Sequence, residues 1–164
     1  MKIIKTLIIT AIAVFLVSCI DGPSRSPYIQ VRHLAINSDS IESTQTPVPV
    51  GDTLQITMDL YGFADDLIYL NINTDREYAK DSIADQEEFL KYCEPLYTSV
   101  KEGTYSFVPG VKNMHLTLYL IAKRAKEDEK SKIPVSLSIK SACNTKEEYN
   151  PYYLNFSYYI TNKK

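Results

Sequence analysis

The chain has 164 residues, 45% of them hydrophobic, with 18 basic and 20 acidic side chains and a formal net charge of −2. That length and apolar content suit one domain with its own core, and the mild, mixed charge excludes the basic footprint of a nucleic-acid-binding protein. Its compositional excess is tyrosine, 13 residues against no tryptophan.

The amino terminus reads as a secretory signal. Lys2 and Lys5 form a positive start, Leu7 to Val17 an apolar stretch, and Ser18 a small residue before Cys19. Eleven apolar residues span about 16 Å as a helix, roughly half of a ~30 Å hydrocarbon layer, so cleavage is expected rather than a permanent transmembrane anchor. Leu16-Val17-Ser18-Cys19 resembles the lipobox of bacterial lipoproteins. The resemblance implies removal of residues 1–18 and acylation of Cys19, with residues 19–27 as a lipidated tether ahead of a single domain over 28–164. Acyl chains at ~0.8 kcal/mol per buried methylene would then hold the protein at the membrane. The expected location is the bacterial cell envelope, at the outer membrane.

Strand signals begin at "YIQVRHLAIN" (28–37) and continue, after the polar stretch "SDSIESTQTP", into "VGDTLQITMDLYG". There Leu54, Ile56, Met58 and Leu60 alternate with polar residues, the period-two signature of a half-buried strand. "GFADD" supplies turn chemistry, and "DDLIYLNIN" repeats the alternation through Ile68, Leu70 and Ile72. "DSIADQEEFLKYC" breaks the rhythm: Ser82 ahead of Asp85 and an acidic first turn, with Ile83, Phe89, Leu90 and Cys93 on one side, predicts one short helix that Pro95 stops.

Alternation resumes in "GTYSFVPG", in "MHLTLYLIA" and in "KIPVSLSIK". The last two flank the charged run "KRAKEDEKSK" and are expected to pair as an antiparallel hairpin. "PYYLNFSYYIT" closes the chain, with Tyr152, Leu154, Phe156, Tyr158 and Ile160 inward, and Tyr153 and Tyr159 outward. Seven or eight strands at this spacing, with one inserted helix, predict an all-β antiparallel sandwich. The order of these strands over about residues 47 to 140 resembles the immunoglobulin-like domains of small surface or periplasmic lipoproteins of Bacteroidales-type bacteria. The resemblance implies a fold rather than an activity.

If lipidation consumes Cys19, Cys93 and Cys143 remain in an oxidising compartment, and a disulfide between them is expected; the alternative is two separate buried thiols. A bridge closing a loop of about 50 residues would contribute roughly 4 kcal/mol. Asp59, Asp65 and Asp66 are weighed as a calcium loop, and Asp65 with Asp66 as paired carboxylates, but neighbouring acids are above all turn formers. His33 and His115 read as strand-surface residues, and no nucleophile elbow, zinc motif or phosphate loop occurs.

No catalytic residue, metal or cofactor is therefore assigned. The function expected is a non-catalytic envelope lipoprotein that binds a protein partner or a glycan. The alternatives are a structural fimbrial or assembly subunit, or less readily a hydrolase. Tyrosine suits such binding because it joins an apolar ring to a hydrogen-bonding tip. Tyr61, Tyr69, Tyr119, Tyr153 and Tyr159 are the residues open to a surface patch, with Tyr153 and Tyr159 the leading binding candidates.

Overall fold

The computed structural model describes residues 25–128, 132–143 and 151–162. Within them the strands are β1 (Tyr28–Ile36), β2 (Asp39–Ser40), β3 (Val48–Pro49), β4 (Thr53–Tyr61), β5 (Leu67–Thr74), β6 (Ala79–Ile83), β7 (Thr104–Ser106), β8 (Asn113–Ala122), β9 (Ile133–Ser141), β10 (Tyr152–Tyr158) and β11 (Ile160–Thr161). One helix, α1 (Gln86–Leu90), and two 3-10 turns, Pro95–Tyr97 and Val100–Glu102, fill the link from β6 to β7.

The strands form a five-stranded sheet in the order β2-β1-β4-β8-β6 and a four-stranded sheet in the order β10-β9-β5-β7, both antiparallel. A short parallel pair, β3 with β11, joins the middle of the chain to its end. The fold is an antiparallel β-sandwich, as the alternation predicts, and it is immunoglobulin-like, as the resemblance implies.

The core lies between the two sheets. One layer is Leu54, Ile56, Met58 and Leu60 of β4 with Leu116, Leu118 and Leu120 of β8; the other is Leu70 and Ile72 of β5 with Ile133, Val135, Leu137 and Ile139 of β9. All are buried, and each such side chain contributes about 1.5–3 kcal/mol of hydrophobic stabilisation. Phe89 of α1 adds an aromatic cap, its ring edge-on to Tyr105 at 5.1 Å and to Phe107 at 6.1 Å.

Three local expectations are corrected. β8 and β9 do not pair: β8 belongs to the five-stranded sheet and β9 to the four-stranded one, so the charged run is a crossing between sheets rather than a hairpin loop. Ile68 is exposed and Leu67 is buried in its place, because the β5–β9 register shifts between Leu67 and Tyr69. A bulge of this kind adds one residue and reverses the inward set beyond it. The helix is also shorter than predicted. Asp81 to Ile83 pair with β8 as part of β6, with Ile83 buried, and Asp85 turns the chain at φ 47° before α1 begins.

Candidate binding faces

Two sheet faces point away from the core, and they differ in chemistry. On the four-stranded sheet, side chains from neighbouring strands line up in rows. Tyr153 lies beside Ser138, which lies beside Asn71 and then Thr104. Asn155, Ser136 and Asn73 form a second row, and Lys140, Tyr69 and Ser106 a third. The platform thus presents hydroxyls and amides, with Lys140 the single charge among these three rows.

Tyr153 is 58% exposed. Tyr69 sits diagonally across β9 from it, two strand spacings over and two residues along, about 12 Å away. The two phenols feel each other, since burial first and the neighbouring Tyr153 second push the Tyr69 hydroxyl above the ordinary tyrosine range. Ser106 extends the platform to the edge of β7, where its hydroxyl donates to the Tyr97 carbonyl at 3.3 Å and its backbone N–H to Thr98 Oγ1 at 3.2 Å. Tyr97 and Leu96 project beyond that edge and are strongly exposed.

Tyr153 is therefore outward, as predicted, on an edge strand. Tyr159 is not its neighbour. β10 ends at Tyr158, and the Tyr159 carbonyl accepts from Val48 N–H at 2.9 Å as the chain leaves for the β3–β11 pair. Six residues along an extended strand separate the two rings by roughly 20 Å. Tyr159 is half-buried beneath the Lys132 ammonium, 5.7 Å from the ring centre. Tyr61 and Tyr119 lie on the other sheet, so the outward tyrosines do not make one patch.

The five-stranded sheet carries a charged network. A register shift between Val31 and His33 leaves Arg32 as the extra residue of β1, and this bulge turns its guanidinium over β4. Arg32 Nε donates to Asp59 Oδ2 at 2.6 Å and its Nη2 to the Tyr61 hydroxyl at 2.6 Å; that hydroxyl donates to Asp59 Oδ2 at 3.0 Å. His115, directly opposite Asp59 on β8, meets Oδ1 through Nδ1 at 2.7 Å. Hydrogen bonds from His115 first, and from Arg32 next, lower the Asp59 carboxyl to about 2.

Sequence spacing gave no sign of this cluster, because Arg32 and His115 lie 27 and 56 positions from Asp59. The adjacent hydroxyls on the same face, Thr57 and Thr117, hydrogen-bond each other at 2.9 Å. His33 stands apart, 3.4 Å from Ser40 Oγ on β2.

The expected disulfide is not formed: Cys93 and Cys143 are both buried and are not bridged to one another. Cys93 bridges to Phe107, whose N–H reaches the Ile68 carbonyl of β5, while Cys143 follows β9 on the opposite side of β5. Three strand steps of about 4.8 Å exceed the ~7 Å Cα separation that a disulfide tolerates. The Cys93 thiol donates to the Phe89 carbonyl, and burial pushes it up to about 11.

The calcium loop is also not assembled. Asp59 is engaged on the sheet face, and Asp66 Oδ2, just before β5, accepts from the Gly110 N–H of the β7–β8 turn at 2.8 Å. Among the described residues, no group of three or more acidic, histidine or cysteine side chains is placed to hold a metal ion. Cys19 lies outside the described residues.

No family model matches the sequence, and no curated protein is similar to it. Among solved structures, domains 4 and 5 of the S-layer protein SbsC align with 13% identity over 81% of this chain and 53% of that one, at a TM-score of 0.36. The chain thus spans about half the length of that structure.

Proposed function

We propose that this chain is a non-catalytic binding module of the bacterial envelope, anchored by lipid on Cys19, and that its docking surface is the outer face of the four-stranded sheet. One observation carries the reading. That face is a nearly uncharged platform of Asn, Ser and Thr side chains with Tyr69 and Tyr153 set across it. Among the described residues, the side chains of Asn71, Asn73, Ser136 and Asn155 make no side-chain hydrogen bond with other residues of the protein. Their donors and acceptors are directed to solvent or ligand.

A neutral, extended glycan fits this chemistry. Its hydroxyls exchange hydrogen bonds with amides and hydroxyls at little desolvation cost, and its apolar ring faces stack on tyrosine. A strongly acidic ligand would find only Lys140. Fimbrial or assembly roles use the same sheet differently, through the open backbone edge of β10.

Isothermal titration of the purified protein with neutral and acidic envelope polysaccharides tests the reading. Replacing Tyr69 and Tyr153 together with serine should weaken neutral-glycan binding more than tenfold, about 1.4 kcal/mol, with the thermal midpoint nearly unchanged. Equal affinity in the double variant would place the site elsewhere. A protein trapped by a photo-crosslinker at position 71, with no glycan bound, would make the partner a protein.

A further inference from the structure

A cleft of different chemistry lies over the outer edge of β6. The connection from β5 contributes Arg76, β6 contributes Lys80 and Asp81, the second 3-10 turn contributes Lys101, and Lys123 follows β8. Four cations thus meet one acid around an opening of about 460 Å³, on a chain whose net charge is −2. The remaining lining is apolar, from Ala79, Val100 and Ile121.

The cationic rim is held in place. The Asp81 side chain is only 6% exposed, and its Oδ1 accepts from Arg76 Nε at 3.1 Å. That bond fixes the guanidinium plane through one nitrogen and leaves its two terminal nitrogens for another acceptor. Lys123 Nζ donates to the Arg76 carbonyl at 2.8 Å, tying the two cationic residues together. Gly103 leaves the space that Arg76 occupies: a Cβ there would come within 2.9 Å of Nη2. The buried Asp81 charge also reaches inward, where it contributes to raising the Tyr105 and Tyr158 hydroxyls.

We infer that this cleft binds a small amphipathic anion, a single carboxylate or phosphate borne on an apolar chain or ring. The headgroup takes the terminal nitrogens of Arg76 with Lys101 and Lys123 around it, and the apolar part lies on Val100 and Ile121. A purely polar anion would leave that floor unused. A neutral apolar body would strip water from four cations without replacing it, which is unfavourable. The volume matches small-molecule sites of roughly 300–1,000 Å³ rather than a polymer groove. This site is independent of the tyrosine platform and stands or falls separately from it.

The test is isothermal titration of the full chain in lipid nanodiscs, with empty discs as reference. The probes are 4-phenylbutyrate, its neutral amide and inorganic phosphate. Saturable binding of 4-phenylbutyrate is expected, at least tenfold tighter than either of the others, and at least tenfold weaker in Arg76→Gln. Lys101→Gln, on an exposed turn, provides a variant whose folding does not depend on the Asp81 contact, and it should weaken binding severalfold. No saturable binding, an amide as tight as the acid, or unchanged affinity in a folded Lys101→Gln with Arg76→Gln also unchanged or unfolded, overturns the inference. Repeating the titration in anionic and zwitterionic discs separates the sources of the anion. Competition by anionic lipid alone assigns the cleft to a lipid headgroup, and equal affinity in both assigns it to a soluble anion.

Discussion

The outer faces of the two sheets rest on the same alternating strands, yet they use their polar side chains in opposite ways. On the five-stranded sheet Arg32, Asp59, Tyr61 and His115 satisfy one another, and Thr57 satisfies Thr117. On the four-stranded sheet Asn73 and Asn155 are exposed and Asn71 and Ser136 half-buried, and these amides and this hydroxyl are left to solvent, with Ser138 buried between its neighbours. A side chain already committed to a neighbour must give up that bond before it can serve a ligand, so its net gain on binding is small. A densely bonded polar cluster is therefore not the better binding candidate. The difference traces to charge: opposite charges placed across strands find each other, whereas neutral amides at strand spacing need not.

The sharpest way to separate the faces is at the β7 edge. Gly103 adopts φ 71°, and a Cβ there would collide with the Ile72 carbonyl oxygen, within the very strand pair that Gly103 closes by accepting the Ile72 N–H at 2.7 Å. Gly103→Ala should cost about 3 kcal/mol, combining left-handed strain with a backbone clash. Gly110 offers the control. It has φ 95° with nothing near its added Cβ, so Gly110→Ala should cost only about 1 kcal/mol of conformational strain. Urea denaturation measures both. In the surviving folded fraction of Gly103→Ala, glycan binding should fall while the His115 ring resonances of the other face hold their positions. Movement of those resonances would show the two faces to be coupled.

How much of this was legible follows from what periodicity can encode. Alternation along β4, β8, β9 and β10 identified the inward residues correctly, because burial on one sheet face imposes a period of two on any strand, whichever strand it pairs with. The same blindness to partners explains the misplaced hairpin: β8 and β9 both alternate, and nothing local says that they lie in different sheets. Bulges defeat the pattern in another way. One extra residue at Ile68 or Arg32 moves a side chain to the opposite face, and the sequence on either side still alternates. Tyr153 was readable because it sits on an unbroken strand. Tyr69 was readable as a surface candidate too, but its placement on the same face as Tyr153 was not, since that depends on β9 lying between β5 and β10.

The charged face should respond to the loss of its hub. Asp59→Asn keeps the size and one acceptor but removes the charge that joins Arg32 and His115. The partners are well exposed, 46% and 66% by side chain, so the expected loss at neutral pH is about 0.5–1 kcal/mol. The pH dependence has a definite sign. The folded carboxyl lies at about 2, below its ordinary 3.8, so its contribution is fully present above about pH 4 and is lost as pH falls from there through 2. The stability gap between the wild-type protein and the variant should close over that window in urea titrations. A gap that persists unchanged at pH 2 would mean that the ion pairs do not stabilise the fold. Glycan binding should be the same in both proteins at pH 7.

The smallest effect is expected at Thr57 and Thr117, and it bears most directly on why the charged face is self-contained. Their hydroxyls lie on facing positions of β4 and β8, 2.9 Å apart and half-buried, two register positions from the Asp59–His115 pair on the same face. Replacing both with valine keeps shape and β-propensity while removing donor and acceptor together, so no orphaned hydroxyl is left behind. Such paired removal is nearly neutral, within a few tenths of a kcal/mol. Thr57→Val alone strands the Thr117 hydroxyl and should cost more, on the order of 0.5–1 kcal/mol. A double-mutant cycle therefore predicts a favourable coupling between the two residues. A double variant less stable than either single one would show the hydroxyls bonding to groups beyond each other, and the outer face of the five-stranded sheet would then be less closed on itself than its geometry implies.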